Sequence, residues 1–385
     1  MSRAELDKVL LAMLATGERV SDINFSPGRP PQMEVDSQLV AYDKLGVLTA
    51  EKTKKIAELI LAENADLLAD LELKGSCDCS LQIPDGPRFR VNVFKVDGAC
   101  AIVLRSLPTT IPTLESLKLP EALRKLPELK NGLVLVTGGT GSGKSTTLAA
   151  VIDAINSTRA VHIVTLEDPI EFKHPHKQGT INQRELGKDF KEFADGLRAA
   201  LRQAPKVILV GEMRDRMTVE IAMKAAETGH LVLSTLHTID AGQTINRIVG
   251  MFEASESSLV RGRLAQMVRY VVGQRLLPKE GGGRIAALEI MGNDTRVREI
   301  IAEGEHKERT YAKIIAESRS FGWQTFDQHI ADLFEAGLVS TDIALAYATD
   351  RAEVRRQLDQ RIAKRGQSTS DIGNLEMAFT RRVQR

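Results

Sequence analysis

Eight consecutive residues near the middle of the chain carry its strongest chemical signal, a complete match to the phosphate-binding pattern G-x-x-x-x-G-K-[ST]. Glycines let successive backbone N–H groups point at an anion, and the helix that follows directs the positive end of its dipole at phosphate groups. Lys144 would reach the β- and γ-phosphates of ATP, and Ser145 would bind Mg²⁺. We expect ATP to contact Gly138, Gly139, Thr140, Gly141, Ser142, Gly143, Lys144, Ser145 and Thr146.

The elements around this loop fit its chemistry. An apolar run over residues 133–136 leads into the loop, and a helix-forming segment leads out of it. Three further apolar runs each end in a polar group, and in parallel sheets ligands bind outside the carboxyl ends of the strands. We therefore expect these groups to converge on one nucleotide: residues 161–164 lead to Glu167, residues 207–210 to Glu212, and residues 231–233 to His237.

Each of these polar groups has a predicted role and a plainer alternative. Glu212 follows a strand and a glycine, where a carboxylate can take a proton from the attacking water, so we predict it to be the catalytic base. Glu167 is expected to help position that water and, with Ser145 and Glu212, to hold Mg²⁺ partly through water. His237 would sense the γ-phosphate. The alternatives are a surface glutamate at a strand end and a structural histidine.

Composition limits the classes of partner. A formal net charge of +1 and an aromatic content of 4% argue against nucleic acid, which is bound by basic surfaces and aromatic stacking platforms. No apolar stretch approaches the roughly 20 residues that cross a bilayer, so we expect a cytosolic protein. Three cysteines, Cys77, Cys79 and Cys100, are too few for a tetracysteine zinc site, and we expect reduced thiols without zinc.

The chain divides by pattern into an amino-terminal domain, a linker, a core, a helical region and a tail. The first part combines predicted helices at 5–14 and 52–61 with predicted strands at 88–94 and 101–104. Three prolines disfavour regular structure in the linker, and alternating strands and helices in the core predict a parallel sheet covered on both faces. The predicted boundaries are 1–107, 108–120, 121–280, 281–365 and 366–385, the last expected to be disordered.

The spacing of these motifs resembles the secretion-type motor ATPases of type II secretion and type IV pili. The phosphate loop is similar to that family's Walker A motif, and the other family motifs are matched by an aspartate box at 165–171, an atypical Walker B motif at 207–212 and a histidine box at 228–237. The resemblance implies an α/β protein. A PAS-like α+β amino-terminal domain would precede a RecA-like P-loop ATPase core with a helical carboxyl-terminal part.

The resemblance also implies a homohexamer in which arginines of the amino-terminal domain meet the γ-phosphate of ATP. Arg90 and Arg105 are the positions that look like them, and arginine suits the role because its planar fork donates two hydrogen bonds to phosphate. The alternative for each arginine is a solvated strand face.

The absence of a tetracysteine module and the short amino-terminal region favour the retraction branch of the family. That branch implies a cytosolic hexameric ATPase that powers pilus retraction and twitching motility at an inner-membrane platform protein. Two of the departures from the branch pattern concern single residues. Lys206 stands where an acidic residue is usual, and Ala302 stands where the family's retraction signature, matched here by residues 296–302, closes with arginine. An accessory retraction ATPase working with a paralogous pilus ATPase stays open as an alternative, as does a nucleic-acid-translocating RecA-like motor.

Overall fold

The computed structural model describes residues 1–16, 20–35, 38–62, 64–84 and 86–364. The disorder expected for residues 366–385 lies outside these residues. The described chain forms two compact units. The first comprises Met1–Thr113 and Ala149–Glu212, and the second comprises Leu114–Leu148 and the chain from Met213 onward. The domain boundaries drawn from the sequence stay predictions.

The amino-terminal part of the first unit is a six-stranded antiparallel sheet with three helices. Its strand order is β3-β2-β1-β6-β5-β4. On β5 the apolar side chains of Phe89, Val91 and Val93 alternate with polar ones, and all three are fully buried in the core. The elements are α1 (Arg3–Leu14), β1 (Val20–Phe25), β2 (Gln32–Val35), β3 (Gln38–Ala41), α2 (Ala50–Leu61), α3 (Ala65–Lys74), β4 (Ser76–Gln82), β5 (Arg88–Val96) and β6 (Ala99–Leu107).

These elements confirm the helices predicted at 5–14 and 52–61 and the strands predicted at 88–94 and 101–104. Local sequence explains where the two helices begin. Ser2 and Glu5 form a reciprocal capping box at the start of α1, and the side chain of Thr49 accepts the Lys52 N–H at the start of α2. The amino-terminal sheet therefore presents one apolar face to α1 and α2 and leaves its other side chains for polar contacts.

Beyond residue 113, strands and helices alternate as the sequence predicts for an α/β core. The elements are β7 (Gly132–Thr137), α4 (Lys144–Thr158), β8 (His162–Glu167), β9 (Thr180–Glu185), α5 (Phe193–Ala200), β10 (Val207–Val210), α6 (Arg216–Glu227), β11 (Leu231–Leu236), α7 (Ala241–Val249), α8 (Ser257–Met267), β12 (Val268–Pro278), β13 (Arg284–Met291), α9 (Thr295–Glu303), α10 (Tyr311–Ala316), α11 (Phe326–Glu335), α12 (Thr341–Tyr347) and α13 (Arg351–Lys364).

The strands of this part are mostly parallel, which confirms the predicted sheet type. In the first unit β8 pairs in parallel with both β10 and β9. In the second unit β7 pairs in parallel with both β11 and β12. Every residue of β7, β10 and β11 is buried, as expected for strands covered on both faces. Four predicted apolar runs are therefore strands, and each ends at the polar group that the sequence placed there.

Several core strands were not predicted individually, namely β9, β12 and β13. β13 lies in the region interpreted as helical, and it pairs antiparallel with β12 along eight residues of each strand. Gly281, Gly282 and Gly283 all have φ values near +80 to +90°, a conformation that glycine adopts at little cost, and they turn the chain between the two strands. The glycine triplet is thus a hairpin turn inside the second unit. The helices predicted after it are confirmed as α9 to α13.

The second unit buries its carboxyl-terminal helices against β13. Phe326 and Ile330 of α11 and Val354 and Leu358 of α13 share one apolar cluster with Ala287 of β13. Among the described residues, no helix is both long enough and apolar enough to span a bilayer.

Candidate nucleotide site

The phosphate loop connects β7 to α4 in the second unit, in the strand, loop, helix order that the motif requires. Gly138, Gly141 and Gly143 have φ values of +147°, +76° and +86°. Residues other than glycine rarely adopt such φ values. A Cβ added to Gly138 would also lie 2.3 Å from the backbone oxygen of Gln274. Both the conformation and the close approach of β12 therefore require glycine in this loop.

A cavity of about 480 Å³ lies beside the loop. The residues that line it are Gly139, Thr140, Gly141, Ser142, Gln274, Arg275, Leu276, Pro278, Gly283, Arg284 and Tyr347. Arg275 donates to the Tyr347 carbonyl at 2.9 Å, and its guanidinium lies 3.9 Å from the centre of the Phe326 ring. A lining that combines two arginines with a glycine loop provides a cationic, partly apolar site for an anionic ligand.

The polar side chains of the loop fit a bound phosphate. Lys144 is 8% exposed, and its Nζ donates to the carbonyls of Gly138 at 2.8 Å and Gly139 at 3.0 Å. The buried hydroxyl of Ser142 has no hydrogen-bond partner among the described residues. Ser145 is exposed on the first turn of α4, and Thr146 beside it is half-buried. A buried hydroxyl without a partner, at the amino-terminal end of a helix, is a group that a phosphate oxygen can satisfy.

His237 follows β11 and lies beside the start of the loop. The Gly138 N–H donates to the carbonyl of Leu236, the residue before His237, at 3.3 Å. His237 is exposed, whereas His230 precedes the opposite end of β11. The structure thus brings His237 together with the phosphate loop as predicted. Its role as a γ-phosphate sensor stays a prediction.

The two predicted acidic residues lie together in the first unit. The Gly211 N–H donates to the Leu166 carbonyl at 2.7 Å, so Glu212 and Glu167 lie at the carboxyl ends of neighbouring parallel strands. Glu167 Oε1 accepts the Thr165 hydroxyl at 2.5 Å and the Gln183 amide at 3.0 Å. Burial raises the pKa of Glu167 to about 7, although both hydrogen bonds oppose the rise.

Arg90 and Arg105 are direct cross-strand partners on β5 and β6. Arg105 Nε contacts Asp22 Oδ1 at 2.9 Å, and the Asp22 side chain is only 8% exposed. The Arg90 side chain is exposed. The structure therefore places the two predicted arginines side by side in the amino-terminal sheet. Their contact with the γ-phosphate stays a prediction.

Sequence reasoning missed a buried ion pair in the same unit, between Arg88 and Glu185. Glu185 also accepts the Ser80 hydroxyl at 2.6 Å and the Ile170 N–H at 3.1 Å. The pair thereby ties β5 and β4 of the amino-terminal sheet to the aspartate box. Arg88 begins the strand predicted at 88–94, but no local signal connects it to a residue so far along the chain.

Two buried polar residues in the second unit were also missed. Glu289 of β13 is 6% exposed and accepts the N–H of Ala241, the first residue of α7, at 2.8 Å. Burial raises the pKa of Glu289 to about 7. Gln274 of β12 is 3% exposed and contacts the phosphate loop. Glu289 is an isolated polar residue within an apolar run, and that is the signal by which it could have been found, whereas Gln274 lies between Gly273 and Arg275 and carries no such signal.

A glycine loop between a buried parallel strand and a helix, beside a cationic cavity, defines a nucleotide-binding P-loop protein of the α/β class. The family model described as type II/IV secretion system protein matches residues 75–332 of the chain. The chain belongs to this family.

Similar proteins and structures agree with this assignment. The type IV pilus retraction ATPase PilT of Pseudomonas aeruginosa is 40% identical over 344 residues, which cover 88% of this chain and 97% of that protein. The type IV pilus ATPase PilU of the same organism is 38% identical over 352 residues, covering 91% and 90%. A crystal structure of the pilus retraction motor PilT with bound ADP has a TM-score of 0.83 at 42% identity, covering 91% of this chain and 99% of that one. The predicted family and α/β fold are confirmed.

Proposed function

We propose that this chain is an ATP-hydrolysing motor that powers type IV pilus retraction. The observation that carries the proposal is the phosphate loop, whose positive-φ glycines and buried lysine lie beside a cavity lined partly by arginines, with a Ser142 hydroxyl that has no partner in the described part of the chain. The similarity to PilT over nearly the whole chain supports retraction as the work performed.

In the proposed reaction, ATP and water give ADP and phosphate. Glu212 takes a proton from the attacking water while the water oxygen forms a bond to the γ-phosphorus and the bond to ADP breaks. Lys144 stabilises charge on the β- and γ-phosphates. Ser145, Glu167 and Glu212 would hold Mg²⁺, partly through water, and the ion would neutralise charge on the phosphate oxygens.

The motor would act as a homohexamer at the cytoplasmic face of the inner membrane, at the base of the pilus. Arg90 and Arg105 would contribute to the γ-phosphate site, so that hydrolysis depends on assembly. His237 would report loss of the γ-phosphate, and the resulting domain motion would act on an inner-membrane platform protein. No zinc and no nucleic acid take part in this scheme.

A PilU-like accessory role is the second candidate, favoured by the similarity to PilU and by the altered signature on α9. In that signature Val297, Ile300 and Ile301 are buried, whereas Arg298 and Ala302 are exposed one turn apart. The missing arginine therefore changes the surface of α9 and leaves its packing intact. A difference in partner binding, with ATP hydrolysis retained, would follow from such a change.

Deletion of the gene distinguishes the two candidates. The retraction motor predicts hyperpiliated cells that have lost twitching, restored by the wild-type gene and not by Lys144→Ala. Normal twitching in the deletion strain would contradict the motor and favour the accessory role. Strong stimulation of ATP hydrolysis by DNA or RNA would contradict both and favour a nucleic-acid motor.

A further inference from the structure

Gln274 is a buried amide on β12 that contacts the phosphate loop on both sides of Gly143. Its Nε2 donates to the Ser142 carbonyl at 2.7 Å, and its Oε1 accepts the Thr147 hydroxyl at 2.8 Å. A carbonyl can only accept a hydrogen bond, so these two partners fix which way the amide is oriented. A Cβ added to Gly143 would lie 2.8 Å from Nε2, which leaves no space between the loop and this side chain.

The backbone of the same residue braces the start of the loop. A Cβ on Gly138 would lie 2.3 Å from the Gln274 carbonyl oxygen, and β12 pairs with β7 up to Gly273 and Thr137. Gln274 thus touches the loop at its first glycine through the backbone and at its last turn through the side chain. The loop and β12 belong to the same compact unit.

The hydrogen bond to Ser142 has a specific consequence for anion binding. In a planar trans peptide the C=O of one residue and the N–H of the next point in opposite directions. Holding the Ser142 carbonyl against Gln274 therefore fixes the Gly143 N–H in the opposite direction. If this peptide rotated, a carbonyl oxygen would replace an N–H among the groups that line the loop, and an anion would be repelled there.

We infer that Gln274 is a positioning residue for nucleotide binding, which holds the Ser142–Gly143 peptide in the orientation that binds phosphate. The inference rests on the proposed binding of ATP and adds a residue outside the phosphate-loop motif. Gln274 acts before the chemical step, because bound phosphates would themselves stabilise the loop afterwards. Its loss should weaken nucleotide binding more than it slows turnover.

Gln274→Met tests this inference, because methionine matches glutamine in length and makes neither hydrogen bond. In the full-length protein we expect the Kd for ADP, measured by calorimetry, to rise about tenfold, equivalent to about 1.4 kcal/mol. The KM for ATP should rise in parallel, with kcat within about twofold of wild type. Thr147→Val, which removes only the bond that orients the amide, should raise the Kd about threefold.

Gln324→Met is the matched control. Gln324 is a second buried glutamine of the same unit, 7% exposed, and it donates to the Leu288 carbonyl at 3.3 Å. Gln324→Met should lower the thermal midpoint to about the same extent as Gln274→Met without changing the Kd for ADP. This result would separate positioning of the loop from a general effect on stability. An unchanged Kd in Gln274→Met, or equal losses of affinity in Gln274→Met and Gln324→Met, would overturn the inference.

The outcomes separate the inference from the proposed function. If the wild-type protein binds no ADP, the proposed function fails. If the wild type binds ADP and the variants bind it equally well, the role of Gln274 fails alone. Should Gln274→Met not fold, Thr147→Val decides, and a Kd unchanged from wild type in that variant would overturn the inference.

Discussion

Removing Arg88 should destabilise the protein far more than its position at the start of a predicted strand suggests. The Arg88 and Glu185 side chains are 9% and 7% exposed. Arg88→Met therefore leaves a buried carboxylate whose remaining hydrogen-bond donors, within the described ranges, are the Ser80 hydroxyl and the Ile170 N–H. Breaking a buried ion pair by removing one partner costs about 3–5 kcal/mol. Ser80→Ala removes two hydrogen bonds, the one that Ser80 donates to Glu185 and the one that it accepts from Arg88, but leaves the ion pair in place, and it should cost about 2 kcal/mol.

The double variant Arg88→Met/Glu185→Met gives the sharpest test of this reasoning. Because no unpaired charge stays buried, the double variant should be more stable than Arg88→Met alone. Lys95→Met is the control on the same strand, since the Lys95–Glu72 pair is exposed and such pairs contribute about 0–1 kcal/mol. The free energy of unfolding is measured by urea denaturation without nucleotide. A loss below 1 kcal/mol in Arg88→Met, or additive losses in the double variant, would refute the reasoning.

Three further predictions follow from the site. Gly143→Ala should raise the Kd for ADP more than tenfold, because a Cβ would meet Gln274 and the φ of +86° is unfavourable; near wild-type binding in calorimetry would count against it. Glu289 has a folded-state pKa of about 7, above its ordinary 4.5, so its contribution of up to about 3 kcal/mol to stability is present below pH 4.5 and lost as the pH rises through 7. The thermal midpoint of Glu289→Gln should therefore fall less steeply between pH 5 and 8 than that of the wild type. Parallel profiles for the two proteins would argue against this. Arg90→Gln and Arg105→Gln should each lower kcat for ATP at least tenfold without changing the Kd for ADP, and unchanged kcat values would favour the solvated strand face.

The sequence predicted the parts of the fold that depend on local pattern. Fully apolar runs identified the buried strands β7, β10 and β11, because a strand covered on both faces has no polar side. The hairpin of β12 and β13 was missed because three consecutive glycines are typical of both a turn and a domain end. Only the pairing of the two strands decides between these interpretations, and that pairing cannot be read from the local sequence.

The candidate site likewise has parts that the sequence predicts and parts that it does not. The phosphate loop was predictable because its chemistry needs fixed residue types at fixed spacing, and Glu167, Glu212 and His237 follow strand ends. Gln274 and Arg88 were not predictable, because their partners lie about a hundred or more residues away and the contacts depend on tertiary packing. The position of Glu289 in an apolar run signals a buried carboxylate, but only the fold shows that it accepts the first N–H of α7.

Steady-state phosphate release by the purified protein in Mg²⁺ and ATP tests the central claim most directly, when wild type is compared with Glu212→Gln. We predict continuous hydrolysis by the wild type, a loss of at least a hundredfold in kcat in Glu212→Gln with ATP retained on the protein, and normal hydrolysis in the control Glu220→Gln, an exposed residue of α6. No hydrolysis by the wild type, or undiminished hydrolysis by Glu212→Gln, would contradict the account.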